Sequence, residues 1–205
     1  MELDFEAAVI NVSLLWMLTT PHEFAHAWTA VKLGDDTPRH EGRLTLHPLA
    51  HVDWVGTLLL PAITSLLGAG FLGWGRAVNT NPLRLRGGMT GLAVVALAGP
   101  ASNLVLAVLL AAAAVASAAL IPVLAEFLAR GVWLSLYLAI FNMIPVPPLD
   151  GSKLLLAARV PAAIYNEIAR FGFLLLVVAL SATGLGVWLN AWSRLGTRWI
   201  FSWFL

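Results

Sequence analysis

Three ionisable side chains lie within one helical turn near the start of the chain. The segment His22-Glu23-Phe24-Ala25-His26 places two histidines at positions i and i+4. On a helix these two side chains share one face, where two imidazoles can occupy neighbouring corners of a zinc tetrahedron. Glu23, beside the first histidine, can accept a proton from a water bound to the metal. The segment therefore predicts a site for metal-dependent hydrolysis.

The polar cluster lies inside an apolar stretch, which sharpens this prediction. Residues 7–33 are predominantly apolar, and 27 residues at about 1.5 Å each are enough to cross about 30 Å of hydrocarbon. Ionisable groups are costly at that depth unless they pair with each other or bind something. The alternative is that the histidines face a polar bundle interior, with Glu23 hydrogen-bonded to one of them.

A third protein ligand has to be a carboxylate, because the chain contains no cysteine and zinc sites with two histidines need one more ligand. The candidates are Asp35, Asp36, Glu41, Asp53, Glu126, Asp150 and Glu167. Asp35 and Asp36 follow Gly34 and are expected in a solvated turn. Asp150 ends an apolar span after Pro145, Pro147 and Pro148, which cannot continue a helix. Such an unwound stretch can carry one side chain into a bundle interior, although an ordinary helix-ending turn has the same pattern.

Composition places these residues in a membrane. Of 205 residues, 60% are apolar and 11% are charged, and the mean hydropathy is +0.84. Soluble domains carry about a quarter charged residues, so a soluble enzyme, a disordered chain and a nucleic-acid binder are excluded. The formal net charge of +1 is too small to point to an acidic partner. We predict an all-α, polytopic helical bundle. The acidic N-terminus is unlike a secretory signal, so the first apolar stretch is expected to be kept.

Charge bias predicts the path of the chain through the bilayer. Basic residues follow residues 7–33, which places His26 toward the cytoplasm. Residues 57–72 are short and interrupted by Pro61, so we predict a re-entrant or membrane-embedded loop. Residues 89–124 then cross outward and residues 131–144 return. A last span is expected at residues 171–189, before a tail that contains tryptophan and arginine.

Two separated motifs resemble the site-2 protease family of intramembrane zinc metalloproteases. The first is the 22–26 segment, and the second is Asn142-Met143-Ile144-Pro145-Val146-Pro147-Pro148-Leu149-Asp150-Gly151, which matches the family's N-x-x-P-x-x-x-L-D-G pattern. The segment Gly99-Pro100-Ala101-Ser102-Asn103 is similar to the family's G-P-x-x-N element, to which we assign helix packing. The segment 42–53 is similar to a stretch of a small bacterial branch, although His47 occupies a position that is more often Asn. The resemblance covers about residues 8–160.

The resemblance implies a three-helix catalytic core and one Zn²⁺ per chain. His22, His26 and Asp150 would be the ligands, with water as the fourth, and Glu23 would be the general base. Asn142 would carry the family's asparagine, whose amide can donate to an oxyanion or hold the substrate backbone. An equally good interpretation of Asn142 is a helix-ending residue that satisfies a carbonyl group before Pro145.

A substrate helix must unwind before its peptide bond can be cut. Residues Arg43-Leu44-Thr45-Leu46-His47 alternate between polar and apolar, as a short edge strand would. We therefore predict that Arg43, Leu44, Thr45 and Leu46 clamp the substrate by strand addition, with a plain interfacial loop as the alternative. His51 lies in the family-like segment and is a candidate for a supporting or gating group near the site.

The resemblance implies a protease that cuts peptide bonds within or near transmembrane segments, in regulated intramembrane proteolysis. Residues 1–205 would form a single membrane domain, with its core at 8–160 and a C-terminal span and tail at 165–205. It resembles a minimal bacterial member, without a PDZ or cytoplasmic regulatory domain, in the inner membrane with the site toward the cytoplasm. The expected partners are a transmembrane protein substrate and the lipid bilayer, and the oligomeric state is left open. Alternatives are a catalytically silent relative that binds membrane proteins and a small metal transporter.

Overall fold

The computed structural model of the chain describes residues 4–66 and 73–204. These residues form helices and connecting segments, with no strand among them, which confirms the predicted all-α class. The helices are α1 (Phe5–Lys32), α2 (Thr37–His40), α3 (Leu60–Leu66), α4 (Met89–Ser117), α5 (Pro122–Asn142), α6 (Gly151–Ala157), α7 (Ala162–Ala182) and α8 (Leu185–Phe201). A 3₁₀ turn at Pro48–His51 and a π-helical turn at Trp54–Leu59 precede α3.

Three helices are long and apolar enough to cross a membrane in the described part of the chain: α4, α5 and α7. Helix α1 is 28 residues long but less apolar, because it carries the polar cluster of His22, Glu23 and His26. Asp4 caps its first turn by accepting a hydrogen bond from the N–H of Ala7 at 2.8 Å.

The core forms where α1, α5, α7 and α8 meet. Leu14 and Leu15 of α1 pack with Leu134 of α5, Leu176 of α7 and Leu189 of α8. A second contact is lined with small side chains, where α4 lies against α5. Ala107 and Ala111 of α4 and Val132 of α5 are completely buried there. Small residues allow the backbones of two apolar helices to approach closely, which is how helices associate where water gives no hydrophobic drive.

Residues 56 and 74, on either side of the predicted re-entrant segment 57–72, lie next to each other. The N–H of Trp74 donates to the carbonyl of Gly56 at 2.9 Å, and the hydroxyl of Thr57 donates to the carbonyl of Trp74 at 2.9 Å. The helical stretch Trp54–Leu66 has 13 residues, or about 20 Å at 1.5 Å per residue, too short for about 30 Å of hydrocarbon. The rest of the predicted segment, residues 67–72, lies outside the described residues.

Four predicted boundaries are wrong. Helix α4 ends at Ser117 rather than near 124, and α5 begins at Pro122 rather than at 131. Proline suits the first turn of α5, because the N–H that it lacks would have no partner within the helix there. The last span is Ala162–Ala182 rather than 171–189. Gly184 follows shortly after this helix, and its φ of 74° is a left-handed conformation typical of glycine after a helix. The expected tail is helix α8.

Asp35 is not the solvated turn residue that its neighbours predicted. Its side chain is fully buried and accepts hydrogen bonds from the N–H of Thr37 at 3.1 Å and of Asn81 at 2.6 Å. Burial alone would raise its pKa, but these bonds and that from the Thr37 hydroxyl outweigh burial, so the pKa of Asp35 is lowered. The carboxylate thereby ties the end of α1 to the extended segment before α4.

Candidate metal centre

One helix, α1, and one unwound segment bring three possible ligand atoms together. Nε2 of His22 and Nε2 of His26 are 3.1 Å apart. Oδ2 of Asp150 is 3.1 Å from the first nitrogen and 3.0 Å from the second. All three residues are buried, and they form the group of His and acidic side chains in the described residues that is suited to a metal ion. The arrangement brings together residues 22 and 150, which are 128 positions apart.

The unwound segment predicted from the prolines positions Asp150. Helix α5 ends at Asn142, α6 begins at Gly151, and the residues between them form turns and bends. Asp150 precedes α6 but does not cap it with its side chain, which leaves the carboxylate free to face α1. Lys153 donates to Oδ1 of Asp150 at 2.9 Å, so the other oxygen, Oδ2, is directed to the histidines.

The hydrogen bond on the far side of His26 decides which of its nitrogens is available. Nδ1 lies 2.7 Å from the carbonyl of Val95, and because a carbonyl only accepts, Nδ1 must carry the proton. In the neutral ring, Nε2 then presents a lone pair. That lone pair faces Oδ2 of Asp150, which is also an acceptor. A cation between the two atoms removes this repulsion.

The donor set fits zinc. Two imidazoles and one carboxylate are ligands that Zn²⁺ takes at about 2.0–2.2 Å, which places neighbouring ligand atoms of a tetrahedron about 3.3 Å apart. The observed separations of 3.0–3.1 Å are close to that spacing. Zinc sites that perform chemistry have three protein ligands and one open position, so the three residues here would leave one position on the ion for water or substrate.

A cavity of about 250 Å³ adjoins the three residues. Its lining includes His22, Glu23 and Asp150 from the cluster, and Asn103 and Asn142 from α4 and α5. Glu23 is buried and its Oε2 accepts the N–H of Val78 at 3.1 Å. The carboxylate therefore lies beside the first histidine, as the spacing on α1 predicts, and faces the space in which a small molecule or peptide group would sit.

Asn142 has features of both of its predicted roles. Its amide nitrogen donates to the carbonyl of Leu138 at 3.0 Å, which is the helix-ending interaction. The side chain also lines the cavity, and the bond to Leu138 uses only one of its four hydrogen-bonding positions.

The predicted edge strand at residues 43–47 is wrong. This segment forms a bend without strand pairing, because its polar groups form hydrogen bonds with nearby segments of the same chain. The buried guanidinium of Arg43 donates to the carbonyls of Ala50 and Arg76, and Nε2 of His51 lies 2.8 Å from the carbonyl of Thr45. None of Arg43, Leu44, Thr45, Leu46 and His51 lines the cavity.

His51 is a cross-link between segments. Its carbonyl accepts the N–H of Arg76 at 2.9 Å, and its ring is almost fully buried. Burial and the nearby charge of Arg43 lower the pKa of His51, so the ring is neutral at pH 7. Its contacts are those of a residue that holds the connector in place.

The sequence analysis did not predict that the extended segment 73–78 lies at the cavity. Gly73, Gly75 and Ala77 line the cavity, with Trp74 and Arg76 between them. The N–H groups of Trp74, Arg76 and Val78 all bond to the protein, namely to Gly56, His51 and Glu23. Those of Gly75 and Ala77 have no partner among the described residues. The Gly-Trp-Gly sequence was the available signal, since glycine marks close backbone approaches.

The fold and the cluster together define a class: a polytopic helical membrane protein with a buried zinc-type site of two histidines and a carboxylate. Residues 113–180 match the model of peptidase family M50. The chain is 38% identical over 178 residues to "Putative zinc metalloprotease YwhC" of Bacillus subtilis, covering 82% of this chain and 77% of that protein. It is 34% identical over 193 residues to "Putative zinc metalloprotease Rip2" of Mycolicibacterium smegmatis, covering 91% of this chain and 72% of that protein.

This chain therefore belongs to peptidase family M50, the site-2 protease family, whose members are membrane metalloproteases that use zinc. No solved structure matches it.

Proposed function

We propose that this protein is an intramembrane zinc endopeptidase, which hydrolyses a peptide bond within or near a transmembrane segment of a membrane-protein substrate. The observation that carries the proposal is the convergence of His22, His26 and Asp150 beside Glu23, on a cavity inside the helical bundle. The three residues would hold one zinc ion. When bound, zinc supplies a Lewis acid that activates water and polarises the scissile carbonyl.

Glu23 acts as the general base and then as the general acid. Its Oε2 is held by the N–H of Val78, which fixes the side chain and leaves its other oxygen toward the cavity. From there the carboxylate takes a proton from the attacking water and returns it to the leaving amine. The amide of Asn142 lies on the same cavity and is placed to hydrogen-bond the substrate backbone.

The substrate binds in an extended form along residues 73–77. A peptide bond in a helix is shielded by its own hydrogen bonds, so the cleaved stretch must unwind, and its freed backbone groups then need partners in a medium without water. The N–H groups of Gly75 and Ala77, which have no partner in the described part of the chain, are such partners. Strand addition would then take place along residues 73–77 rather than along 43–47.

Purified protein tests the function directly. We expect about one zinc per chain, and cleavage of some members of a panel of single-span membrane substrates. Chelation of the zinc should abolish cleavage, and zinc should restore it. A chain that binds one tight zinc but cleaves no substrate would be the silent relative, and several exchangeable metals per chain would indicate the transporter. The described residues offer one metal cluster, which favours a single site.

Asp150→Asn should reduce zinc occupancy and cleavage together, because a neutral amide oxygen is a poorer ligand for a dication than a carboxylate. We expect a loss of about 10- to 100-fold in zinc affinity, by analogy with the effect of losing a partner that supports a metal ligand. Metal analysis after dialysis and the cleavage assay measure the two effects.

Asp53→Asn is the matched control for this variant. Asp53 lines the same cavity, but its Oδ1 caps the turn at Trp54 by accepting the N–H groups of Val55 and Gly56. Asparagine caps as well as aspartate, so this variant should retain zinc and activity. Normal zinc in Asp150→Asn, with loss in Asp53→Asn, would transfer the ligand role to Asp53.

The proposed orientation places the metal cluster on the cytoplasmic side of a bacterial inner membrane. The chain has no native cysteine, so single cysteines can report it. Cysteines at Asp36, Leu83 and Ala158 should react with an impermeant thiol reagent from the cytoplasm, and one at Leu120 only from outside, since α4 and α5 carry the chain across and back. Leu83 and Leu120 are 95% and 84% exposed. Labelling of the Leu83 position from outside would show that residues 57–72 cross the membrane.

A further inference from the structure

Three arginines from two helices face one cavity away from the metal cluster. Arg130 of α5 and Arg194 and Arg198 of α8 line a cavity of about 480 Å³, together with Trp133, Asn190 and Thr197. No acidic side chain lines it. Arg130 is 12 positions before Asn142, or about 18 Å along α5 at 1.5 Å per residue, so this cavity is separate from the proposed active site.

The charges at this cavity are not neutralised by the protein. None of the three arginines forms an ion pair within the described residues. Among the described residues, the side chains of these arginines make one hydrogen bond, from Nε of Arg194 to Oδ1 of Asn190 at 2.9 Å. The buried indole N–H of Trp133 has no hydrogen-bond partner in the same part of the chain. The three guanidinium groups share one cavity, and an anion with several acceptor oxygens would offset the repulsion between them.

Helix α8 presents a different surface on each side. Leu189, Ser193 and Ile200 are buried against the bundle. Trp188, Trp192 and Trp199 form an apolar face, and each is about half exposed. The arginines occupy the third side. Tryptophan is enriched at the boundary between acyl chains and headgroups, and a basic face beside it lies at the level of lipid phosphates.

We propose that this cavity binds the phosphate headgroup of an anionic phospholipid, with the acyl chains lying along the tryptophan face of α8. The guanidinium forks of Arg194 and Arg198 bind the phosphate oxygens, and Arg130 closes the cavity from α5. The lipid thereby ties α8 to α5 and stabilises the C-terminal part of the bundle.

The test compares the full-length protein with Arg194→Gln/Arg198→Gln, and with Arg39→Gln/Arg170→Gln as a control that removes the same charge elsewhere. Protein in nanodiscs of phosphatidylcholine is titrated with phosphatidylglycerol, and thermal unfolding and bound lipid are measured. The wild type and the control should be stabilised and should retain phosphatidylglycerol. The cavity variant should bind it roughly 25-fold more weakly, at about fivefold per arginine.

Two results would overturn the proposal. Equal phosphatidylglycerol binding by the wild type and the cavity variant would show that the arginines do not form the site. Displacement of the lipid effect by millimolar inorganic phosphate would indicate a site for a soluble anion. Zinc content should be the same in all three proteins, so the outcome is independent of the proposed protease activity.

A different observation points to an added role for Asn103 at the active site, and this second inference rests on the proposed protease function. The side chain of Asn103 is fully buried, and among the residues that the structure describes neither its amide nitrogen nor its amide oxygen has a hydrogen-bond partner. The side chain lines the cavity beside Glu23 and Asp150. Its backbone carbonyl is held by the hydroxyl of Ser135 at 2.8 Å, so the position is fixed although the amide is unused.

A buried amide without hydrogen-bond partners lowers the stability of the fold, and a ligand that bonds to the amide would remove this cost. We infer that Asn103 hydrogen-bonds the backbone of the unwound substrate. A carboxamide has a donor and an acceptor, which match the carbonyl and N–H of one peptide group. This assigns to the G-P-x-x-N segment a substrate contact in addition to the helix packing predicted from the sequence.

Asn103→Leu separates a substrate contact from a structural role. If Asn103 binds substrate, the variant should keep its zinc and unfold at the same or a higher temperature, while kcat/KM falls by roughly 10- to 100-fold. Asn103→Ser, which keeps a hydroxyl donor and acceptor, should recover part of the activity. A lower unfolding temperature with normal turnover of the folded fraction would overturn the inference. If the wild type cleaves substrate and Glu23→Gln does not, the protease proposal stands whatever the result for the Asn103 variants.

Discussion

Glu23→Gln should retain zinc and the fold but lose cleavage by at least ~100-fold, the lower range of what a general base contributes. The two sides of the residue explain the separation. Its Oε2 accepts the N–H of Val78, and a glutamine oxygen can accept the same bond, so the neighbouring extended segment keeps its place. A neutral amide cannot accept a proton from water at neutral pH. Zinc content and cleavage, measured on the same preparation, give both halves of the result.

Glu167→Gln serves as the control for this loss. Glu167 is exposed on α7 and lies outside the lining of the active-site cavity, so its neutralisation should leave cleavage unchanged. Full activity in Glu23→Gln with zinc retained would remove the general-base assignment. A loss of zinc together with activity would instead assign Glu23 to holding the metal site.

Gly99→Ala should abolish zinc binding, although it adds only one methyl group. A Cβ at this position would lie 2.6 Å from Nε2 of His22 and closer still to Nε2 of His26. Those atoms belong to two neighbouring rings, and His26 is also held by its bond to Val95, so the rings cannot move apart without breaking the cluster. We expect no detectable zinc after dialysis and no cleavage.

Gly131→Ala is the comparison that isolates this effect. It also adds a methyl group at a buried helix contact, but the nearest atoms are the side-chain ends of Leu110 at 3.2 Å and Leu14 at 3.3 Å, which can rotate. This variant should keep zinc and most of its activity. Equal zinc binding by both variants would mean that the helix carrying Gly99 lies farther from α1 than the structure places it.

The chemistry of the cluster follows from local sequence. The positions of His22, Glu23 and His26 on one helical face are set by the 3.6-residue repeat, and the prolines before Asp150 exclude a helix there. Long apolar runs likewise locate α4 and α5, although their ends were misplaced because alanine-rich turns and helices have similar composition. Residues with these short-range constraints were the ones that sequence analysis predicted.

The features that only the tertiary structure decided depend on contacts between distant segments. The burial of Asp35 could not be predicted locally, because one of its partners, Asn81, lies 46 positions away. Arg43 suits an exposed edge by its local pattern, yet its guanidinium binds the carbonyl of Arg76. The extended segment 73–78, which we propose as the substrate-binding edge instead, shows no alternation of polar and apolar residues that would predict a strand. Its course is set by hydrogen bonds to Gly56, His51 and Glu23.

What the sequence by itself determined is therefore the membrane class, the approximate spans and the residues able to hold zinc, since each follows from hydrophobicity or helical spacing. The tertiary structure decided how the site is supported and entered. Val95 orients His26, Lys153 directs Asp150, and Gly99 leaves room for both rings. Val95 and Gly99 reach the histidines only because α4 packs against α1. Lys153 is only three residues from Asp150, but it supports the site only once that carboxylate faces α1.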